Sequence, residues 1–133
     1  MTRRSSFAQR GFTLIEMAIV IAIMAILVAI AAVNYSRSVQ RAREARLHYN
    51  LMVLNKVIQQ YSQDKRKAPQ TADDLVSAGY LREIPDDITG KKDWVWDPED
   101  PEKAWDPNQP GIGSVHSGSN EPSSEGTPYS SWK

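Results

Sequence analysis

At 133 residues, with no cysteine and a formal net charge of zero, the chain has room for one soluble domain and cannot build a disulfide. Its two histidines, His48 and His116, have no metal-protease spacing, and neither a phosphate loop nor a catalytic constellation is present, which argues against an enzyme. Acid pairs such as Asp73-Asp74 and Asp86-Asp87 are adjacent in sequence and read as caps and turns.

The first element is a short polar leader ending at Arg10 and Gly11, with Arg3, Arg4 and Arg10 and no acid. Positive charge there holds the leader on the cytoplasmic side of a membrane. An apolar run of 22 residues follows, Phe12 to Val33. As a helix it is about 33 Å long, enough to cross a bilayer. Glu16 lies near its start. A carboxylate inside such a run costs roughly 2.5–3.5 kcal/mol near a helix centre. A plain anchor has no use for it. A secretory signal peptide would have a shorter apolar core, despite the cleavage-like Ala29-Ile30-Ala31. Arg3-Arg4 alone is weak support for a twin-arginine signal. A charge kept here predicts a partner inside the membrane or inside an assembly.

Gly11-Phe12-Thr13-Leu14-Ile15-Glu16, after a basic leader and before an apolar helix, resembles the class III signal of type IV pilins and pseudopilins. The resemblance covers the N-terminal quarter. It implies cleavage between Gly11 and Phe12 by a prepilin peptidase, followed by N-methylation of Phe12. It also implies that Glu16 neutralises the N-terminal amine of a neighbouring subunit in a filament. Many members carry a proline where this chain has Val33, and the helix distortion seen there in the family is not expected here.

Ala18, Ala22, Ala25, Ala29 and Ala32 recur at spacings of four and three, a small-residue stripe along which helices approach closely. Val20, Ile23, Leu27 and Ile30 fall on the roughly opposite face, in line with Glu16. Removing the leader leaves 13 basic and 16 acidic residues, unevenly distributed. Residues 34–67 hold eight cations against Glu44 and Asp64, whereas residues 68–133 hold five cations and thirteen acids. A basic stalk and an acidic head attract each other between staggered subunits. The basic stretch lacks the interleaved aromatics of a single-strand binder, so no nucleic-acid partner is expected.

Without proline or glycine after Gly11, the helix is predicted to continue to about Asp64. Leu47, Leu51, Leu54, Ile58 and Tyr61, with Val57 alongside, form the apolar stripe of an amphipathic helix against a small core. Lys65–Pro69 ends it. Thr71 with Asp74 predicts the cap of a short second helix and Gly79 its stop, with Leu75 and Val76 inward. Tyr80-Leu81 and Ile84-Pro85 anchor the next loop. Trp94-Val95-Trp96 is the best strand signal and Gly111–His116 the second. Between them, Asp97 to Pro110 is dense in proline and acid. The polar segment Ser117–Ser131 would read as a flexible tail, but Tyr129 and Trp132 predict that it packs back.

Tyr61, Asp64, Pro69, Leu75, Gly79-Tyr80-Leu81, Ile84-Pro85 and Asp87 through Gly90 follow an order similar to that of the major, G-type pseudopilin of type II secretion systems. Val115 to Asn120 and Glu125 to Tyr129 resemble that family's C-terminal loop, which calcium orders in place of a disulfide. The resemblance makes Ser117, Asn120 and Glu125 candidate ligands, although two acidic positions of the family are Asn120 and Ser130 here. The expectation is an α+β chain: residues 1–11 a cleaved leader, 12–34 a transmembrane assembly helix, and 35–133 a periplasmic domain. That domain packs the amphipathic half of the helix on a small antiparallel sheet with a loop-rich C-terminus. The implied function is that of a filament subunit, first in the inner membrane and then in a periplasmic pseudopilus. Its implied partners are copies of itself, the prepilin peptidase, the inner-membrane assembly platform with its ATPase, and minor pseudopilins. No cofactor is required beyond the calcium that the tail resemblance implies. A surface type IV pilin and a monomeric anchored binding domain are the alternatives.

Overall fold

A computed structural model describes residues 11–133; the arginines of the leader lie outside the described residues. Helix α1 runs Leu14–Lys65, 52 residues, and starts and ends where its chemistry changes. At its start, Thr13 accepts the Glu16 N–H through Oγ1 at 3.2 Å, and its carbonyl accepts the Met17 N–H. At its end, Arg66 takes a left-handed φ of 52°, and Ala68-Pro69 turn the chain away.

The chain divides into two compact units, the first ending at Ser38 and the second spanning Val39–Lys133. In the first, every described residue, Gly11 to Ser38, is exposed. This stretch holds a window apolar enough to cross a membrane, none of it buried. In the second, α1 supplies one wall of the core. Leu47, Leu51, Leu54, Val57, Ile58 and Tyr61 are all buried, which is the stripe predicted from their spacing.

Helix α2, Ala72–Ser77, is short and therefore depends on its ends. The Asp74 carboxylate accepts the N–H groups of Gln70 and Thr71 at 2.8 and 3.0 Å. The backbone N–H of Thr71 is the main influence that holds this carboxyl below its ordinary range. At the C-terminus the Tyr80 N–H reaches the Leu75 carbonyl and the Gly79 N–H reaches that of Val76. This closure requires the left-handed φ of 81° at Gly79. It drives Leu75 completely into the core against α1.

Strands β1, Trp94–Pro98, and β2, Ile112–Ser117, pair antiparallel with Trp94 opposite Ser117 and Trp96 opposite Val115. The second strand begins and ends one residue later than its sequence signal. Gly111 is needed for close approach: a side chain there would meet the Pro69 carbonyl oxygen at 2.6 Å. The Ile112 N–H donates to that same oxygen. A two-stranded sheet is marginal by itself in water. Here Trp94 buries its ring and donates Nε1–H to the Pro85 carbonyl at 2.7 Å. The fold is α+β, a long helix packed on a small antiparallel sheet.

The free edge of β2 is closed by a side chain. Asn55 of α1 accepts the Val115 N–H at 3.0 Å and donates its amide to the Val115 carbonyl at 3.4 Å. One amide thus stands in for a third strand. Asn55→Ala removes both partners of a buried residue's backbone and is expected to destabilise the domain by ~1–3 kcal/mol. Urea unfolding of the detergent-solubilised chain measures this, together with faster hydrogen exchange at the Val115 amide. Unchanged exchange there would mean that the edge has another seal.

Candidate processing and assembly site

At the N-terminus of α1, Gly11, Phe12 and Glu16 are all exposed. A Cβ built on Gly11 meets nothing within 4 Å, and its φ is not left-handed, so folding makes no demand for glycine there. Thr13 and Glu16 occupy the first-turn positions in which a hydroxyl and an acid stabilise a helix start. That local role explains an acid at this end of the helix. It does not explain why one is kept in an apolar run. Phe12 is 75% exposed and Leu14 91%, without a partner among the described residues. Ala18, Ala22, Ala25, Ala29 and Ala32 lie on the same uncovered helix and are exposed as well.

In the second unit the tail folds back, as Tyr129 and Trp132 predicted. Its anchor is Glu44, which sequence reading treated only as a charge. The Glu44 carboxylate is buried and accepts four hydrogen bonds. Ser124 gives two, N–H at 2.7 Å and Oγ–H at 2.5 Å, Tyr129 gives its hydroxyl at 3.0 Å, and Gln40 its amide at 3.3 Å. Burial pushes the Glu44 carboxyl up. The donors from Ser124, Tyr129 and Gln40 together outweigh it and hold the group below its ordinary value of 4.5. Burial, and then the bond to Glu44, raise the Tyr129 phenol in turn. Around this clasp the chain forms a small closed loop. Pro122 pairs with Pro128, and Gly126 turns at a φ of 83°. Tyr129–Ser131 make a 3-10 turn that seats Trp132 edge-on to Tyr129 and stacked on His48 at 4.2 Å. The sequence signal for Glu44 was present: it precedes the buried stripe by three residues, on the same helix face.

The candidate calcium ligands have separate engagements. Ser117 is fully buried, donates Oγ–H to Asp87 Oδ2 at 2.8 Å and accepts the Ser119 N–H. Asn120 Oδ1 accepts the Ser130 hydroxyl at 2.8 Å, so the two positions that are acidic in the resembled family are bonded directly to each other. Glu125 is exposed on the turn. Calcium takes six to eight oxygens, with charge among them. A set with one exposed carboxylate and two neutral oxygens already in use is a poor fit for it. Among the described residues no three His, Asp or Glu side chains gather as a metal site. His116 Nδ1 lies 2.8 Å from Asp97 Oδ2 across the sheet, within hydrogen-bond distance.

The sign of the Glu44 shift sets a pH dependence. Its folded value lies below its unfolded one, so its contribution is complete above the ordinary carboxylate value. That contribution is lost as pH falls through the folded value. Glu44→Gln is expected to cost ~1.5–3 kcal/mol at neutral pH, the range for hydrogen bonds to a charged group. It should also flatten the acid side of the stability curve. Urea titrations of both proteins from neutral to acid pH measure this. Parallel curves would remove Glu44 as the titrating clasp.

Residues 6–32 match the family model described as a prokaryotic N-terminal methylation motif. Comparison with curated proteins and with solved structures gave no match. The matched segment spans Gly11, Phe12, Glu16 and the alanine stripe. It includes nearly all of the exposed apolar stretch; together they indicate a type IV pilin-like N-terminal segment, for which the motif implies a prepilin peptidase, and fit a single-pass inner-membrane protein.

Proposed function

We propose that the chain is a structural subunit of a secretion pseudopilus, stored in the inner membrane and polymerised through its N-terminal helix. The observation that carries this reading is the methylation motif at the head of an apolar helix, none of whose membrane-length window is buried among the described residues. After cleavage at Gly11, the Phe12 amine is a cation and Glu16 an anion one helical turn away. Each is costly alone in lipid. Paired between subunits, they neutralise each other and fix axial register. Ala18, Ala22, Ala25, Ala29 and Ala32 let neighbouring helices pack closely along the filament core. The openness of the backbone around Gly11 supports a requirement imposed by a peptidase rather than by folding.

The order of motifs through the globular unit favours the major pseudopilin of type II secretion. A surface type IV pilus shares every processing and assembly step and differs in where the filament acts. Deleting the gene separates them: loss of exoprotein release with intact surface motility is expected, and the reverse would assign the chain to a surface pilus.

The processing reading predicts a mature protein that begins at Phe12 and carries one methyl group. Intact mass measurement of the membrane-extracted chain tests this, with Gly11→Leu expected to keep its leader. A cut near Ala31 would make the run an ordinary signal peptide. Glu16→Ala should still be cleaved and inserted but should fail to enter filaments. Normal filaments from that variant would leave the carboxylate with its helix-start role alone.

For the tail, we propose that Glu44 and the Asn120–Ser130 bond do the work of a metal. Calcium and chelator should then give the same melting temperature for the solubilised chain. A clear rise in millimolar calcium, abolished by Asn120→Ala, would return Ser117, Asn120 and Glu125 to the ligand role that the tail resemblance implies.

A further inference from the structure

Two features of the second unit are unused by the fold and complementary to each other. The first is a cleft of about 240 Å³ between α1 and the turn after Ile84. Arg43, Arg46, Leu47, Asn50, Asp87 and Ile88 line it. Small-molecule sites run ~300–1,000 Å³; this one suits a single large side chain. Arg43 and Arg46 are exposed and form no ion pair among the described residues, although Asp86 borders the same cleft. Asp87 is 5% exposed, and its Oδ1 is buried without a hydrogen-bond partner. The cleft therefore asks for an occupant with anions at its rim and a donor on an apolar body.

The second feature is the arm that joins β1 to β2, residues 99–111. A hairpin connection usually takes two to five residues, and longer ones are commonly functional. This arm carries Glu99, Asp100, Glu102 and Asp106 against Lys103 alone. It is ordered: Asp100 Oδ1 accepts the Glu102 N–H at 3.1 Å, and Asp106 Oδ1 accepts the Asn108 N–H at 2.9 Å. Between these two turns stands Trp105, 48% exposed. Trp94 and Trp132 both donate their Nε1–H within the chain. Neither Trp96 nor Trp105 has such a bond among the described residues, and of these two only Trp105 is exposed. An exposed tryptophan between carboxylates is the composition of an interface anchor.

We propose that the arm of one copy docks in this cleft of a second copy, with Trp105 inserted beside Leu47 and Ile88. Glu102 and Asp106 then face Arg43 and Arg46, and the indole N–H faces the Asp87 carboxylate. Arm and cleft are different patches, so the contact is heterologous and repeats from copy to copy. This rests on the filament reading. It adds a lateral contact between globular units that is independent of Glu16.

The test uses the full chain, expressed with its processing and assembly machinery. The absence of cysteine makes introduced thiols unique. Lys103→Cys combined with Thr89→Cys should give a ladder of oxidised oligomers in the filament fraction. Lys103→Cys with Met52→Cys, an exposed control on the helix, should not. Arg43→Glu with Arg46→Glu should lower pelletable filament about tenfold, equivalent to ~1.4 kcal/mol. Adding Glu102→Lys and Asp106→Lys to the same chain should restore it. Melting temperatures of the solubilised variants establish that each is folded, and the cysteine pairs, which leave the charges alone, provide a second route. Equal ladders from both cysteine pairs, or a reversal without rescue, would overturn the docking while leaving the filament intact. A wild-type chain that forms no polymer would remove both readings at once.

Discussion

An apolar helix surface has to be kept out of water, and most of this molecule's organisation follows from that. Leu14, Ile15, Ile21 and Val28 are each at least two-thirds exposed within their own chain. Leaving such side chains in water costs roughly 1.5–3 kcal/mol apiece relative to burial. The stretch up to Ser38 is therefore stable in lipid or against other helices, and the described residues supply neither. A carboxylate near its start sharpens the demand, because the helix start satisfies the Glu16 backbone and no cation pairs with its charge among the described residues. Membrane storage and helix-to-helix assembly are the two environments that meet both conditions.

The same helix changes character without a break in its backbone. Up to Val33 it is apolar all round. From Glu44 onward it is amphipathic, with one stripe from Leu47 to Tyr61 and charge elsewhere. A helix apolar on every side belongs in a membrane or a bundle, and one with a single stripe belongs on a core. The globular unit built on that stripe is small. Its sheet has two strands, and no disulfide staples it. Polar side chains from the helix supply the missing attachment. Asn50 holds the Asp86 carbonyl, Asn55 seals the edge of β2, and Glu44 gathers the tail. Asn55 meets the backbone of the buried Val115 and Glu44 the hydroxyl of the buried Tyr129, and buried groups are where such bonds matter most.

The Glu44 clasp also explains how a serine-rich tail becomes ordered. Ser117, Ser119 and Ser123 are buried, and their hydroxyls satisfy neighbouring backbone N–H groups. A tail of this composition has little apolar surface with which to bury itself. One anion with several donors converging on it fixes Ser124 and Tyr129 together, and Tyr129 then brings Trp132 onto His48.

The sequence by itself determined the elements whose cause is local or periodic. The methylation motif, the apolar span and the buried stripe are patterns of near neighbours along the chain. The cap at Asp74 and the stop at Gly79 depend on hydrogen bonds three to five residues apart. The second strand was visible to within a residue, and the first was visible at its start but runs two residues past Trp96, to Pro98, into a segment that proline and acid made look like loop. Tertiary structure alone decided the pairings across long separations. Asn55 meets Val115 sixty residues on, and Glu44 meets Ser124 and Tyr129 at eighty and eighty-five. Periodicity can place a glutamate such as Glu44 on the buried face of the helix, but it cannot name the donors that will meet it. The significance of such a residue arises only when the fold has brought an unpaired donor beside it and removed the water that would have competed.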